Sequence, residues 1–240
     1  TAITVGTGGS AGREGPAMQF GAAITAWLDA IFTMPAHRRI HLLGCGVGAG
    51  IAAVFNAPLG GWFLAMEIIV PDWRPWTILS TLIATIGASQ ITELVFGNFH
   101  LLPAVTSTLV NKAADLPLFV ILGAINALAA ILFIATLTAI TQYSEMFLHN
   151  PYLRHALGMF LVGLLLLLCF AWTGHYYLIG GSYAGIGDIL RGEISAWDIL
   201  LLLLLLKLLA TSLTIGSGGS GGIFSPSLFI GAGTGALYGL

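Results

Sequence analysis

Long stretches of the chain carry no charge, and short polar breaks separate them. Leu116 to Ala139 is 24 residues without a charge, and Leu42 to Met66 is 25. A hydrocarbon core about 30 Å thick takes about 20 helical residues, so either run is long enough to cross it. The apolar stretches and their breaks predict helices over Pro16–Ile31, Ile40–Val54, Pro58–Ile69, Trp76–Phe96, Pro117–Phe147, Pro151–Thr173, Ala184–Leu190, Ala196–Thr214 and Pro226–Leu240. Several are too short to cross alone. Short hydrophobic helices interrupted by Gly and Pro mark transporter folds built from broken helices. Backbone left unpaired at a break is tolerated in a bilayer only against protein or a wet cavity. The run GCGVGAGIAAVFNAPLGG reads as a closely packed helix. It breaks at Asn56–Ala57–Pro58, because Pro removes a donor and clashes with the preceding turn.

Composition moves this pattern firmly into the membrane. Charged residues are 8% and hydrophobic residues 57%, and mean hydropathy is +0.95. Ordinary soluble domains are about 25% charged, and the charges here are too few to build a polar shell. The expectation is an all-α, multi-pass integral membrane protein of a plasma or inner membrane. A net charge of −2 gives no reason to expect a nucleic-acid partner. Cys45 and Cys169 sit in apolar segments and read as buried free thiols, since disulfide frameworks belong to small secreted domains. The 32 glycines in 240 residues are about twice the ordinary usage of ~7%, as expected where helix backbones approach closely. The chain starts just upstream of a Gly-rich motif and ends in the apolar run GAGTGALYGL; the reading is a fragment of a longer protein.

One pattern carries chemistry. GTGGSAGREGPAMQFGA begins at Gly6 and GSGGSGGIFSPSLFIGA at Gly216, an offset of 210 residues. Eight of the 17 aligned positions are identical: Gly6/Gly216, Gly8/Gly218, Gly9/Gly219, Ser10/Ser220, Gly12/Gly222, Pro16/Pro226, Gly21/Gly231 and Ala22/Ala232. Each copy is a Gly-rich loop, a Pro at a predicted helix start, and an apolar helix. Pro at the first helical position loses no hydrogen bond, and the glycines before it leave an open row of backbone N–H groups. A helix start carries unsatisfied donors and about half a positive charge. In a low dielectric it is an anion site. Two such ends in two halves suggest one pathway lined from both sides. A packing loop would not need the Gly–Pro register to recur. The loops also fit a dinucleotide fingerprint on paper, but no acidic residue follows Gly221 and a soluble βαβ unit is lacking; no Gly-Lys-Ser/Thr follows either loop to make a P-loop.

At these residues the sequence resembles the CLC family of chloride channels and chloride/proton antiporters. The matching segments are GREGP at Gly12–Pro16, FNAPLGG at Phe55–Gly61, and Lys207 with GSGGSGGIFSPSLFIGA up to Ala232. The resemblance covers essentially all 240 residues, as the central portion of a family transport domain. It implies an inverted-repeat fold with broken and half-spanning helices, a first half at about 1–100 and a second at about 115–240. It also implies a homodimer with one anion pathway per subunit, and anions held by backbone amides. By motif match those of Arg13, Glu14 and Gly15 form an outer site, and those of Ile223 and Phe224 help form a central one. Glu14 matches the gating glutamate.

The expected function is chloride transport with Glu14 as the protonatable gate, antiport being preferred. A passive channel and a fluoride/proton exchanger are the alternatives. The gate has its own physical logic. A carboxylate at a helix N-terminus is an anion at an anion's site, and protonation releases it. The family's inner proton glutamate falls on Ile68, with Glu67 one residue earlier; isoleucine carries no proton, which puts coupling in question. No metal or organic cofactor is expected, chloride being the transported ligand.

The other polar residues read more plainly. AHRRIH, with His37–His41, is expected to be a hydrated loop on the cytoplasmic side. Lys207 interrupts LLLLLLKLLA; an intramembrane charge is costly, and two readings stand level: positive potential for the anion route, or snorkelling to the interface. Trp73, Trp76, Tyr176, Tyr177 and Trp197 read as interfacial aromatics. A different class of function would be an intramembrane enzyme using Ser10, Ser217 or Ser220 with a histidine brought near by folding. A third, a glycine-packed scaffold, leaves Glu14 unexplained.

Overall fold

The computed structural model describes residues 1–70, 72–97 and 116–240. Its described residues form ten α-helices: α1 (Ala2–Gly6), α2 (Glu14–Phe32), α3 (Ala36–Phe55), α4 (Pro58–Ile68), α5 (Pro75–Phe96), α6 (Leu116–Phe147), α7 (Pro151–Thr173), α8 (Tyr183–Leu190), α9 (Trp197–Gly216) and α10 (Phe224–Gly239). Five of them, α3, α5, α6, α7 and α9, are long and apolar enough to cross a membrane. The all-α, multi-pass expectation holds. α4 and α8, at 11 and 8 residues, are half-length helices of the kind that the Pro and Gly breaks predict. The chain groups into two compact units, Thr1–Arg13 with Leu102–Leu240, and Glu14–Leu101.

In the Glu14–Leu101 unit, glycine lets helices meet backbone to backbone. A Cβ on Gly21 of α2 would stand 2.0 Å from the Gly46 carbonyl oxygen of α3, and one on Gly46 would stand 2.4 Å from that of Gly21. Such packing replaces the hydrophobic effect as the adhesive between membrane helices. α3 ends where predicted. Asn56 takes left-handed geometry (φ 49°, ψ 44°) and Pro58 opens α4. Asn56 Nδ2 donates to Glu93 Oε1 at 3.0 Å, and Ser89 donates to Asn56 Oδ1, which ties the break to α5. On α5 the buried residues Thr77, Thr81, Thr85 and Ser89 recur every four positions along one face.

The predicted AHRRIH loop is a helix instead. Residues 37–41 lie in the first turns of α3, after Pro35 at its N-cap. The charged side chains do not stop the helix because they are exposed, and basic residues at an exposed helix end stay hydrated. His41 Nε2 and Arg74 Nε each lie 3.4 Å from Asp72 Oδ2. Partial burial raises the Asp72 pKa. The Thr77 hydroxyl, His41 and Arg74 outweigh that and hold it below the usual carboxylate value.

In the other unit α9 is the core helix, with most of its apolar length buried, while α6 is largely exposed among the described residues. Leu200, Leu203 and Leu206 of α9 pack with Cys169, Leu178, Ile186 and Phe229. Both cysteines are free thiols; Cys169 is buried and Cys45 is half-buried.

Candidate anion site

The two Gly-rich loops have one geometry. α1 ends at Gly6 and α9 at Gly216, and α2 starts at Glu14 and α10 at Phe224; each pair is separated by the offset of the sequence repeat. Gly8 and Gly218 take φ of 97° and 99°, a region that only glycine enters freely. The amides of Gly9 and Gly219 donate to Thr4 O at 2.8 Å and Thr214 O at 3.0 Å, again equivalent residues. The repeat thus extends upstream of Gly6, through the identities Thr1/Thr211 and Thr4/Thr214, which the Gly–Pro pattern alone did not show.

The loops also touch. Gly12 N donates to Gly222 O at 2.7 Å, and Gly222 N to Gly12 O at 2.9 Å. This antiparallel bridge pairs each glycine with its own repeat equivalent. A reciprocal pair of equivalent residues requires a local two-fold axis between them, as an inverted repeat demands. Close approach is built in next door, where a Cβ on Gly221 would stand 2.3 Å from that of Ala11.

The helix starts differ from the expectation by two residues. Pro16 and Pro226 were placed at the first helical position; they occupy the third, after Glu14–Gly15 and Phe224–Ser225. The physical reason is that all of the first four helical N–H groups lack an intrahelical acceptor, so Pro is tolerated there too. The shift puts the amides of Glu14 and Gly15, and of Phe224 and Ser225, at the dipole's positive end. Glu14 is buried, at 1% exposure, while Ile223 and Phe224 are 45% and 44% exposed and Arg13 is exposed. Glu67 and Ile68 close α4, both exposed.

Lys207 does not snorkel. It is fully buried. Its ammonium donates to Ser10 Oγ at 2.8 Å, Ser182 Oγ at 2.7 Å, Gly180 O at 2.7 Å and Leu178 O at 3.1 Å. Burying a charge is tolerated only with such partners. Ser10 also bonds Thr211 Oγ1 at 3.0 Å, and its N–H donates to Thr214 Oγ1 at 3.1 Å. The serines of the enzyme alternative are therefore engaged in structure. Ser10 is held by a charged ammonium, which is no base, and Ser220 meets Thr1 Oγ1 at 2.9 Å. Ser217 reaches His155 Nδ1 at 3.5 Å, the outer limit of a hydrogen bond.

Two features escaped the sequence reading. Tyr177, expected in the interfacial belt, donates its hydroxyl to Asp188 Oδ2 at 2.9 Å. Burial first, and that bond second, push its pKa up to about 12. The second is the segment Leu178–Tyr183, which supplies three of the four oxygens around Lys207. The inward aim of its carbonyls did not show in the sequence.

Comparison with known proteins agrees with this geometry. The family model described as voltage gated chloride channel matches residues 1–240. Chloride channel protein CLC-f of Arabidopsis thaliana is 31% identical over 253 residues, covering 99% of this chain and 31% of the relative. The H(+)/Cl(−) exchange transporter ClcA of Vibrio cholerae is 32% identical over 242 residues, covering 98% and 50%. Among solved structures, a slow cyanobacterial Cl−/H+ antiporter superposes with a TM-score of 0.81 at 26% identity, covering 95% of this chain and 52% of that one. A CLC-type fluoride/proton antiporter gives 0.77 at 28%, covering 97% and 58%. The chain spans about half the length of these bacterial relatives, and less of the plant one. The family is one of channels and transporters rather than enzymes. With the repeated loops, the paired glycines and a match along its whole length, the chain belongs to the voltage-gated chloride channel (CLC) family.

Proposed function

We propose that the full-length protein moves chloride across its membrane, with Glu14 as the protonatable gate and with proton-coupled exchange as the mode. The amides around Arg13, Glu14 and Gly15 form an outer anion site, and those of Ile223 and Phe224 help form a central one. Lys207 adds fixed positive potential. The residues about 1–100 and 115–240 are the two halves of the repeat, and two subunits associate, each with its own pathway. Amide donors suit a transported ion better than full charges, because binding must stay weak enough for release. Glu14, first residue of α2, carries a carboxylate where an anion is favoured. Ionised, it competes with chloride; protonated, it yields the site.

The observation that supports this reading is the reciprocal bond between Gly12 and Gly222, which joins the repeated loops beside their helix starts. Reconstitution of the full-length protein in chloride-loaded liposomes is the test. Chloride efflux above that of protein-free vesicles is expected, and its absence would refute the proposal. A passive channel is the second reading, favoured by Ile68 standing where the family resemblance expects a carboxylate. It predicts efflux with no accompanying proton flux.

A further inference from the structure

The short segment between α7 and α8 makes contacts that neither the motifs nor the family assignment explains. Gly180 and Ser182 take left-handed backbone, with φ of 57° and 58°. For serine that conformation is unfavourable and persists only where its surroundings hold it. What holds it is Lys207, bound to the Ser182 hydroxyl and the Leu178 and Gly180 carbonyls. Gly180 N also donates to Gly9 O at 2.9 Å. The residue that follows is thereby fixed in place.

That residue is Tyr183. Its ring lies under the Arg13 guanidinium, 5.3 Å from centroid to Cζ, within cation–π range. Its hydroxyl shares a hydrogen bond with Ser225 Oγ. A Cβ on Gly181 would stand 2.6 Å from Tyr183 Cε2 and 2.9 Å from Ser225 Cβ, so a side chain there would force this contact apart. Arg13 belongs to the first Gly-rich loop, and Ser225, fully buried, is the second residue of α10. Under the repeat offset Arg13 corresponds to Ile223, and Ser225 to Gly15. Tyr183 therefore touches both copies at positions that are not equivalent. It is an asymmetric strut laid across a two-fold pair.

We propose that Tyr183 is a specificity-determining positioning residue, setting the spacing between Arg13 and the first turn of α10 and hence the anion the pathway prefers. The inference rests on the anion-transport reading. Discrimination among dehydrated anions depends on the size of the cavity and the field strength of its donors. A strut that fixes where the α10 amides stand relative to Arg13 controls both. A smaller halide such as fluoride and a larger planar anion such as nitrate respond differently to a small shift in that spacing.

The experiment uses the full-length protein in liposomes and measures chloride, nitrate and fluoride flux ratios. The variants are Tyr183→Phe, Ser225→Ala and the double variant. Tyr183→Phe keeps the ring under Arg13 and deletes only the hydroxyl, and Ser225→Ala deletes the partner. Each is expected to shift a flux ratio by about threefold or more while anion flux persists, and the double variant should shift it no further than either single one. Purely structural damage would slow all three anions together and leave the ratios unchanged. Unchanged ratios in both single variants would overturn the proposal, as would a double variant whose shift is the product of the two. A wild type that moves no anion would instead refute the transport reading, a result visible before any ratio is compared.

Discussion

Gly12 and Gly222 exchange both of their backbone hydrogen bonds, at 2.7 and 2.9 Å, although 209 residues separate them. Such pairing satisfies a donor and an acceptor on each loop, which matters where water is scarce. It also fixes the register of the repeat, because a slip by one residue would pair non-equivalent positions. The bridge is antiparallel, so the two loops run through it in opposite directions.

The close approach beside the bridge predicts a contrast between two glycines. Gly221→Ala places a methyl 2.3 Å from the Ala11 Cβ, and overpacking of this kind costs about 1–3 kcal/mol. Gly235, on α10, has nothing within 4 Å of a built Cβ, so Gly235→Ala should be neutral or stabilise by up to about 1 kcal/mol. Thermal unfolding of the two variants in detergent, with chloride flux, checks this. Equal melting temperatures would show that the loops do not press together at Gly221.

Lys207 gives a second prediction. Lys207→Met leaves Ser10, Ser182 and two carbonyls without their donor. Buried polar groups stripped of a partner cost about 1–3 kcal/mol each, so a loss of about 3 kcal/mol or more is expected. Lys207→Arg keeps the charge, but a planar fork does not fit an oxygen cup built around a compact ammonium; it should rescue only in part. A Met variant as stable as wild type would mean that the cup does not hold the fold.

Tyr177 supplies a pH prediction. Its folded pKa of about 12 lies above the ordinary 10.0, so the folded state holds the proton more tightly than the unfolded one. The associated stability is complete below about pH 10 and is lost as pH rises toward 12. Arg191 lies 2.5 Å from Asp188 and 2.7 Å from Glu193. Its bonds to those carboxylates, Glu193 foremost, raise its own pKa, so it stays charged and holds Asp188 in place across this range. Tyrosinate absorbance during alkaline titration should therefore show one late-titrating residue that disappears in Tyr177→Phe and moves earlier in Asp188→Asn. No change in either variant would contradict the assignment.

Much of this architecture could be read in the chain, for reasons that differ by element. Pro151–Thr173 was legible to the residue, since Pro and Gly174 bracket an uninterrupted apolar run. The break at Asn56 was legible because Pro58 forbids continuing the helix. The loops at Gly6 and Gly216 were legible because the same backbone problem was solved twice with the same residues. The first turns of α3 were misread, since charge density marks hydration rather than loss of helix. α1 was missed, because the few residues given before Gly6 are too short a stretch to show a period. Lys207 was recognised as costly, but its four partners lie 25 to 197 residues away, so snorkelling and burial looked alike. Tyr183 was missed altogether. Nothing in GGSYAG says which way a ring will point, because the left-handed turn before it is held by distant contacts.

The central claim is that a carboxylate at the start of α2 and a chloride ion compete for the same amide donors. The most direct test is the pH dependence of chloride efflux from liposomes, compared between the wild-type full-length protein and Glu14→Ala. The account predicts wild-type efflux that rises as pH falls, and a variant that conducts chloride with no pH dependence and carries no coupled protons. A Glu14→Ala variant that keeps the wild-type pH curve would contradict it.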